Sequence, residues 1–503
     1  TPVPVDSEKS SLAVSPASIV ANGTATSTLS FTARDVNNNP LTGRTVTFAT
    51  SGTGATGVKV GTVTGSNGIY TATLTAGTTA GAMNVAVAVN GTTVAGTNNS
   101  KTVTLTPAPA DSAQSSLAVS PASIVANGTA TSTLSFTARD VNNNPLTGRT
   151  VTFATSGTGA TGVKVGTVTG SNGIYTATLT AGTTAGPVNV AVAVNGTTVA
   201  GTNNSKTVTL TPAPADSEKS SLAVSPASIV ANGTATSTLS FTARDVNNNP
   251  LTGRTVTFAT SGTGATGVKV GTVTGSNGIY TATLTAGTTA GPVNVAVAVN
   301  GTTVAGKTGS ITLTPANFTG IAVNDHNFAI DAGFPSTGIV DAAFTLNMSG
   351  IASDYTWTSS APSWVTVNSG TVSFIAKGNK TPVTITATPK VGGTPLTYTF
   401  SVRSWFFKDD VRLLLPWSDA SNVCTEQGLA LPTRAELTLG KEVRAVGAFW
   451  AEWGRTPSYA LLWTSEVSGS SYTGPVHYVM LGNGLIDTRQ DVYTSNVMCW
   501  QGL

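Results

Sequence analysis

Apolar and polar residues alternate with a period of two over many short runs of this chain. Early in the sequence, Leu29, Phe31 and Ala33 alternate with threonine and serine, and comparable runs are bounded by turn residues such as Asn22-Gly23 and Asn90-Gly91. Alternation is typical of strands with one buried face, and Asn-Gly pairs suit tight turns. The pattern predicts about six or seven short strands packed as a two-sheet, immunoglobulin-like β-sandwich.

This pattern recurs as a long internal repeat. The segment that begins at Ser11 returns at Ser116 and at Ser221, 105 residues apart each time. Repeats of this length are whole domains, because the turns of a solenoid recur every 20 to about 50 residues. The links between them carry prolines, which favour extended, semi-rigid joints. We therefore predict three immunoglobulin-like repeats. Their bounds are 6–110, 111–215 and 216–315.

The repeat ends after Pro315, but the β pattern continues in a new sequence. Runs such as Tyr355–Thr358 alternate as strands do, and Trp357 and Trp364 are spaced for a sandwich core. We predict a divergent immunoglobulin-like domain over residues 316–402.

Residues 403–503 differ again and contain six of the eight tryptophans. Ser418 can cap a short helix, and Thr433 with Glu436 forms a capping box that predicts a second helix to about Val446. Further runs are strand-like. The pattern predicts a compact α+β domain at the C-terminal end of a mainly β chain.

Composition limits the possible functions. Charged residues make up 9% of the chain and the net charge is +3, so no basic surface for nucleic acid is indicated. The repeats contain no Trp, His or Cys, which favours a spacer. His477 is the one histidine after residue 403, and no residue pattern suggests a nucleophile with a base or a metal site. We expect neither enzymatic activity nor a cofactor, and we predict no metal site.

Two further features have a structural and a functional interpretation. The pair Cys424 and Cys499 favours a structural disulphide formed in an oxidising compartment, with two buried free thiols as the alternative. The segment Asp35–Asn39 begins like a calcium loop, but Pro40 replaces the loop glycine and Val46 the final acid. We expect this segment to be a turn.

Several segments carry a family resemblance. Asp35–Leu41 resembles the bacterial Ig-like domains of the invasin/intimin adhesins, and Tyr355–Ser359 resembles the second Ig-like type found before the tip of those proteins. Trp417–Cys424 and Leu431–Leu437 resemble the first half of a C-type lectin-like domain, and Val497–Trp500 suits its second half.

The resemblance implies an outer-membrane adhesin of a Gram-negative bacterium. The chain would be the C-terminal passenger fragment, with a β-barrel anchor upstream of Thr1 as its only link to the membrane. A monomeric rod of Ig-like domains would project the tip towards a host surface or secreted protein. The Glu-Pro-Asn, Gln-Pro-Asp and Trp-Asn-Asp motifs of calcium lectins are absent. Glu426 is the only acid just after Cys424, where integrin-binding relatives present aspartate, so integrin binding is not predicted.

Residue type and loop position suggest where a receptor would bind. The predicted tip loops are 449–455, 466–473 and 482–493, and they carry the aromatic and charged residues that dominate interface energetics. Either tryptophan of the first loop could belong to the core instead. Calcium-independent binding of glycans or mucins, and a self-associating structural spacer, remain alternatives. The candidate receptor-binding residues are Trp450, Glu452, Trp453, Arg455, Tyr472, Arg489 and Tyr493.

Overall fold

The protein is mainly β. The computed structural model describes residues 3–408, 414–440, 443–454, 461–471 and 474–503. By internal packing the chain divides into two compact units, which are described separately. The first consists of Thr1–Pro214 with Arg244–Leu251, and the second of Ala215–Ala243 with Thr252–Leu503. Among the described residues, no helix has the length and apolar character needed to cross a membrane.

Each repeat has two sheets around one apolar core. In the first repeat one sheet has the order β1-β3-β7-β5 and the other the order β2-β10-β8-β4, with β6 and β9 pairing at β7 and β8. Leu29, Phe31 and Leu74 from the first sheet and Val85 from the second are fully buried. The strands are β1 (Ser11–Ser15), β2 (Ser18–Val20), β3 (Thr26–Thr32), β4 (Val46–Ser51), β5 (Lys59–Val60), β6 (Thr64–Ser66), β7 (Ile69–Thr75), β8 (Gly81–Val89), β9 (Thr92–Thr93) and β10 (Ser100–Thr106).

The second and third repeats follow the same plan. In the third, one long strand with a register shift replaces the last two strands. The strands of the second are β11 (Ser116–Ser120), β12 (Ser123–Val125), β13 (Thr131–Thr137), β14 (Val151–Ser156), β15 (Lys164–Val165), β16 (Thr169–Ser171), β17 (Ile174–Thr180), β18 (Gly186–Val194), β19 (Thr197–Thr198) and β20 (Ser205–Thr211). Those of the third are β21 (Ser221–Ser225), β22 (Ser228–Val230), β23 (Thr236–Thr242), β24 (Val256–Ser261), β25 (Lys269–Val270), β26 (Thr274–Ser276), β27 (Ile279–Thr285), β28 (Gly291–Val299) and β29 (Thr302–Thr314).

Residues 316–402 form two sheets of their own. Their orders are β31-β30-β33-β36-β35 and β34-β37-β38. Trp364 is buried in their core, as predicted, whereas Trp357 is half-buried and donates from Nε1 to the Ala352 carbonyl at 2.9 Å. The strands are β30 (Phe318–Val323), β31 (His326–Phe328), β32 (Thr337–Ile339), β33 (Ala343–Met348), β34 (Tyr355–Ser359), β35 (Val365–Asn368), β36 (Thr371–Phe374), β37 (Val383–Pro389) and β38 (Leu396–Phe400).

The C-terminal part is α+β, as predicted, and it shares a sheet with the preceding domain. Strand β32 pairs in parallel with β39, which pairs antiparallel with β43, while β40, β41 and β42 form a separate sheet. One apolar core contains residues from both parts, including Phe334, Phe374, Trp405 and Trp453. The elements are β39 (Ser404–Lys408), α1 (Trp417–Glu426), α2 (Arg434–Leu437), α3 (Phe449–Trp453), β40 (Leu461–Ser471), β41 (Gly474–Leu481), β42 (Ile486–Gln490) and β43 (Met498–Gly502). Short 3-10 helices lie at Thr53–Ala55, Thr97–Asn99, Thr158–Ala160, Thr202–Asn204, Thr263–Ala265 and Ala352–Asp354.

The predicted disulphide is present and joins Cys424 of α1 to Cys499 of β43. Both cysteines are buried with Trp463, Val479 and Val497 in a small core of the C-terminal domain. The bond therefore connects the first helix of this domain to its last strand.

The second predicted helix is much shorter than expected. The capping box of Thr433 and Glu436 is present, but α2 ends at Leu437. The extended backbone of Thr438 stops it, and the Thr438 hydroxyl donates to the Gly484 carbonyl at 2.9 Å. A tertiary contact therefore overrides the local helical pattern, and the prediction of a helix to Val446 is wrong.

Candidate functional site

Three of the candidate receptor-binding residues lie in the interior. Phe449–Trp453 is not an exposed loop but the short helix α3, in which Trp450, Glu452 and Trp453 have relative exposures of 7%, 0% and 2%. Trp450 donates from Nε1 to the Gly482 carbonyl at 3.1 Å, and Trp453 donates from Nε1 to the Thr337 hydroxyl at 2.9 Å. The expectation that they contact a receptor from the surface is therefore wrong.

Glu452 instead connects two domains. Its Oε1 accepts hydrogen bonds from the Ser336 amide at 2.9 Å, the Ser336 hydroxyl at 2.5 Å and the Gly447 amide at 3.0 Å. Its Oε2 accepts from the Thr337 amide at 2.9 Å and the Thr337 hydroxyl at 2.5 Å. Five donors surround a carboxylate with no exposed surface. Such full satisfaction is what a buried charge requires.

Further bonds hold the same two domains together. Arg444 donates from Nη1 to the Asn324 carbonyl of the preceding domain at 3.3 Å, and its Nη2 donates to the Glu452 carbonyl of its own domain at 2.9 Å. Asn324 donates from Nδ2 to the Trp453 carbonyl at 2.5 Å. Burial lowers the pKa of Arg444, although Asp325 opposes this shift. The C-terminal domain is thus fixed to residues 316–402 by polar bonds, a shared sheet and a shared core.

One candidate, Tyr493, is exposed in the turn that follows β42, and another, Arg489, lies near the end of β42 itself. Tyr493 is 53% exposed and its neighbour Val492 is 64% exposed. The half-buried Arg489 donates from Nη1 to the Thr494 carbonyl at 2.7 Å and to the Ser495 hydroxyl at 3.2 Å. Its guanidinium lies 5.6 Å from the Tyr493 ring centroid. We call Arg489, Val492 and Tyr493 the Arg489–Tyr493 turn. It presents an apolar ring and a cation whose orientation is fixed by its bonds.

The positions of two other candidate receptor-binding residues are not described. Arg455 and Tyr472 lie outside the described residues. In the predicted loop 466–473, residues up to Ser471 belong to strand β40. Val492 was not among the candidates, although its position beside Tyr493 in a predicted loop could have indicated that it is exposed.

A charged cluster lies on α2 and the neighbouring strands. Arg434 donates from Nε to Glu466 Oε2 at 2.9 Å, and its guanidinium lies 4.1 Å from the Tyr478 ring centroid. The hydrogen bond from Arg434 lowers the pKa of Glu466, and the same bond raises the pKa of Arg434. Both side chains are therefore charged at neutral pH and bind each other.

His477 is buried against aromatic rings. Its ring stacks on Trp417 with centroids 3.9 Å apart, and Trp463 meets it edge-on at 6.2 Å. Within the described part of the chain, neither ring nitrogen has a hydrogen-bond partner. Burial lowers the pKa of His477, and the nearby Asp491 opposes this shift. The ring is thus a neutral member of an aromatic stack, with no nucleophile bonded to it among these residues.

The sequence predicts neither a metal site nor integrin binding, and the residues that bear on these two predictions are located as follows. Among the described residues, no group of three or more His, Cys, Asp or Glu side chains is placed to hold a metal ion. Glu426, the acid just after Cys424, is exposed at the end of α1.

Comparisons with known proteins agree with the fold. Residues 6–108, 111–213 and 216–316 match the family described as "Invasin, domain 3", and residues 319–400 match "Invasin, domain 4". The chain belongs to the invasin family. Because these matches cover well over half of the chain, the membership rests on the repeats and on the domain that follows them.

Two curated relatives resemble this chain over only part of their own length. Inverse autotransporter adhesin YeeJ of Escherichia coli (strain K12) is 32% identical over 373 residues, which are 70% of this chain and 16% of that protein. Invasin of Yersinia enterocolitica is 32% identical over 342 residues, which are 67% of this chain and 40% of that protein. The chain thus spans less than half of either relative.

A solved structure was also matched. The structure titled "Crystal structure of invasin: a bacterial integrin-binding protein" is 29% identical, with a TM-score of 0.46 and coverage of 98% of this chain and 100% of that one. The names of the two curated relatives describe an adhesin and an invasin, and neither name describes an enzyme.

Proposed function

We propose that this chain is the outward part of a non-enzymatic bacterial surface adhesin. In this proposal the Ig-like repeats are spacers, and the C-terminal domain, predicted to be C-type lectin-like, contacts a host surface or secreted protein. Membership of the invasin family supports the adhesin role, because a curated relative is named an adhesin. The anchor and the outer-membrane location belong to the proposal.

The contact is assigned to the Arg489–Tyr493 turn. Tyrosine and arginine are enriched among the residues that dominate binding energy, and Tyr493 is more than half exposed. Because Arg489 is already held by Thr494 and Ser495, binding would cost little additional side-chain entropy. The exposed turn on a domain fixed to its neighbour is the single observation that supports this choice.

The test measures binding of the labelled full chain to epithelial cells by flow cytometry. Tyr493→Ala should raise the half-saturating concentration by about tenfold or more, as expected for a central interface tyrosine. Ile69→Ala, at a residue 47% exposed in the first repeat, is the matched control and should bind like the unaltered chain. Equal binding by both variants would contradict the assignment of the turn.

The class of receptor is read from the same assay. Pretreating the cells with a protease should abolish binding, while pretreatment with glycosidases should leave it unchanged. The opposite pattern would show that a glycan is bound. Concentration-dependent association of the chain with itself, without binding to cells, would favour the spacer alternative.

A further inference from the structure

The Asp35–Pro40 loop of the first repeat corresponds to the loop Asp140–Pro145 of the second repeat. This second loop is hydrogen-bonded to one end of the first repeat. Asn144 donates from Nδ2 to the Thr78 carbonyl at 2.9 Å, and its Oδ1 accepts from the Ala80 amide at 2.8 Å. Asn142 donates from Nδ2 to the Ala21 carbonyl at 3.0 Å. We call Ala21, Thr78 and Ala80 the receiving end of the first repeat.

An aspartate organises this joint. Asp140 accepts from the amides of Asn142 and Asn144 through Oδ1 at 2.9 and 2.8 Å. Through Oδ2 it accepts from the Asn144 side chain at 2.8 Å and from the amide of Ala108, in the proline-bearing link, at 3.0 Å. One carboxylate thus holds both the loop and the link in place.

The loop Arg244–Leu251, which packs within the first unit, repeats these bonds. Asn249 donates to the Thr183 carbonyl at 2.8 Å and accepts from the Ala185 amide at 2.8 Å. Asn247 donates to the Ala126 carbonyl at 3.0 Å. Asn144 and Asn249 are each only 7% exposed, which is unusual for an asparagine unless it has bonded partners.

In the first repeat the same loop is formed but exposed. Asp35 accepts from the amides of Asn37 and Asn39 at 2.9 and 2.8 Å and from the Asn39 side chain at 3.0 Å. Asn37 and Asn39 are both exposed. The segment before it, Val3-Pro4-Val5, occupies the place of the link Ala108-Pro109-Ala110 before the second repeat. The loop therefore already has the conformation that is bonded in its two counterparts.

We propose that the Asp35–Pro40 loop is a docking surface for another Ig-like repeat of this sequence type, bound through its receiving end. The Asn39 side chain would bond the carbonyl and amide equivalent to Thr78 and Ala80, and Asn37 the carbonyl equivalent to Ala21. The proposal concerns the repeats alone and does not depend on the receptor.

A second copy of this chain does not fit this role, because its receiving ends are occupied. The receiving end of the first repeat bonds the loop that contains Asn144, and that of the second repeat bonds the loop that contains Asn249. At the same end of the third repeat, a Cβ on Gly233 would lie 2.1 Å from Val391 Cγ2, and the Thr234 hydroxyl donates to Asp354 at 2.5 Å. Domain 316–402 therefore covers this third end. The occupant in this proposal is therefore a repeat whose receiving end is free, as it would be in a repeat joined ahead of the first.

The test extends the full chain by a second copy of residues 6–105 placed directly before Thr1. The copy carries Met83→Leu, a volume-conserving change, so that its peptides differ in mass. The amide equivalent to Ala80 in the copy is the reporter, followed by hydrogen–deuterium exchange. Docking should slow its exchange by about tenfold or more relative to the same extended chain with Asn39→Ala.

Two controls keep the test decisive. In the chain without the extension, Asn144→Ala should speed exchange at Ala80, whereas Asn39→Ala should leave Ala80 unchanged. In the extended chain, Asn37→Ala keeps the bonds of Asn39 to Asp35, so it should speed the reporter without lowering the melting temperature of the repeats. A reporter that exchanges equally fast with asparagine or alanine at position 39 would overturn the proposal.

Discussion

Glu452 bonds the C-terminal domain to the domain before it. Its carboxylate is completely buried and accepts five hydrogen bonds, four of them from Ser336 and Thr337 in the preceding domain. From the sequence it was an exposed acid in a loop. Local sequence could not show otherwise, because these donors lie 115 and 116 positions away in the chain.

Replacing Glu452 with glutamine should therefore be costly. One carboxylate oxygen, an acceptor, would be replaced by an NH2 group, a donor, that faces the existing donors. The free energy of unfolding of the second unit should therefore fall by about 3 kcal/mol. Urea unfolding of the full chain measures this loss. Glu426→Gln, at an exposed site on α1, is the control and should stay within about 0.5 kcal/mol of the unaltered chain. Equal stability of the two variants would contradict the role given to Glu452.

His477 should make the second unit sensitive to acid. Burial lowers its folded-state pKa below the ordinary value of 6.5, so the unfolded chain takes up a proton first as the pH falls. Its contribution to stability is complete above about pH 6.5 and is lost as the pH falls through the lowered pKa. His326, whose pKa is lowered by burial and by Arg444, acts in the same direction.

Thermal unfolding at about pH 7.5 and about pH 5.5 tests this. His477→Phe keeps an aromatic ring beside Trp417 and should reduce the fall in melting temperature between the two values, leaving the part due to His326. An unchanged pH dependence in the variant would show that the burial of His477 has no such effect.

At the scale of elements, the period-two pattern was sufficient wherever strands have one buried face. Strands β3 and β34 lie where alternation placed them, but the first repeat has ten strands rather than six or seven, because β5, β6 and β9 span only two or three residues each and are too short to show the pattern. Elements fixed by distant contacts were missed. Strand β39 pairs with β32 and β43 rather than with a neighbour in sequence, and α3 is a single aromatic turn buried against another domain. The same holds for α2, which ends where Thr438 bonds Gly484.

The disulphide between α1 and β43 should stabilise only the C-terminal part of the chain. It links cysteines 75 positions apart, for which the chain-entropy model gives about 4.5 kcal/mol. Cys424→Ala with Cys499→Ala should lower the melting temperature of the second unit in calorimetry. The first unit contains no cysteine, so its transition is the internal control and should not move. A second-unit transition that stays in place would refute the stabilising role.

At the scale of the whole molecule, the sequence was enough to predict a mainly β chain of Ig-like domains with an α+β end. The candidate site was predicted less well. Residue type suggested aromatic and charged side chains, but the same properties suit a core or a domain interface, and three of the seven candidates are buried in such places. Tyr493 remains because its turn is exposed, and Arg489 remains because its guanidinium lies beside the Tyr493 ring. Only the packing of the two domains distinguishes these cases.

In the proposed function the repeats are spacers and the C-terminal domain binds the receptor. Deleting residues 111–215 joins Ala110 to Asp216, which reproduces the native junction of Ala215 with Asp216 and removes one whole repeat. The measurement is the half-saturating concentration of the shortened chain on epithelial cells, beside that of the full chain. If the repeats are spacers, the two values should be equal within about twofold. A shortened chain that binds as weakly as Tyr493→Ala would contradict the spacer role.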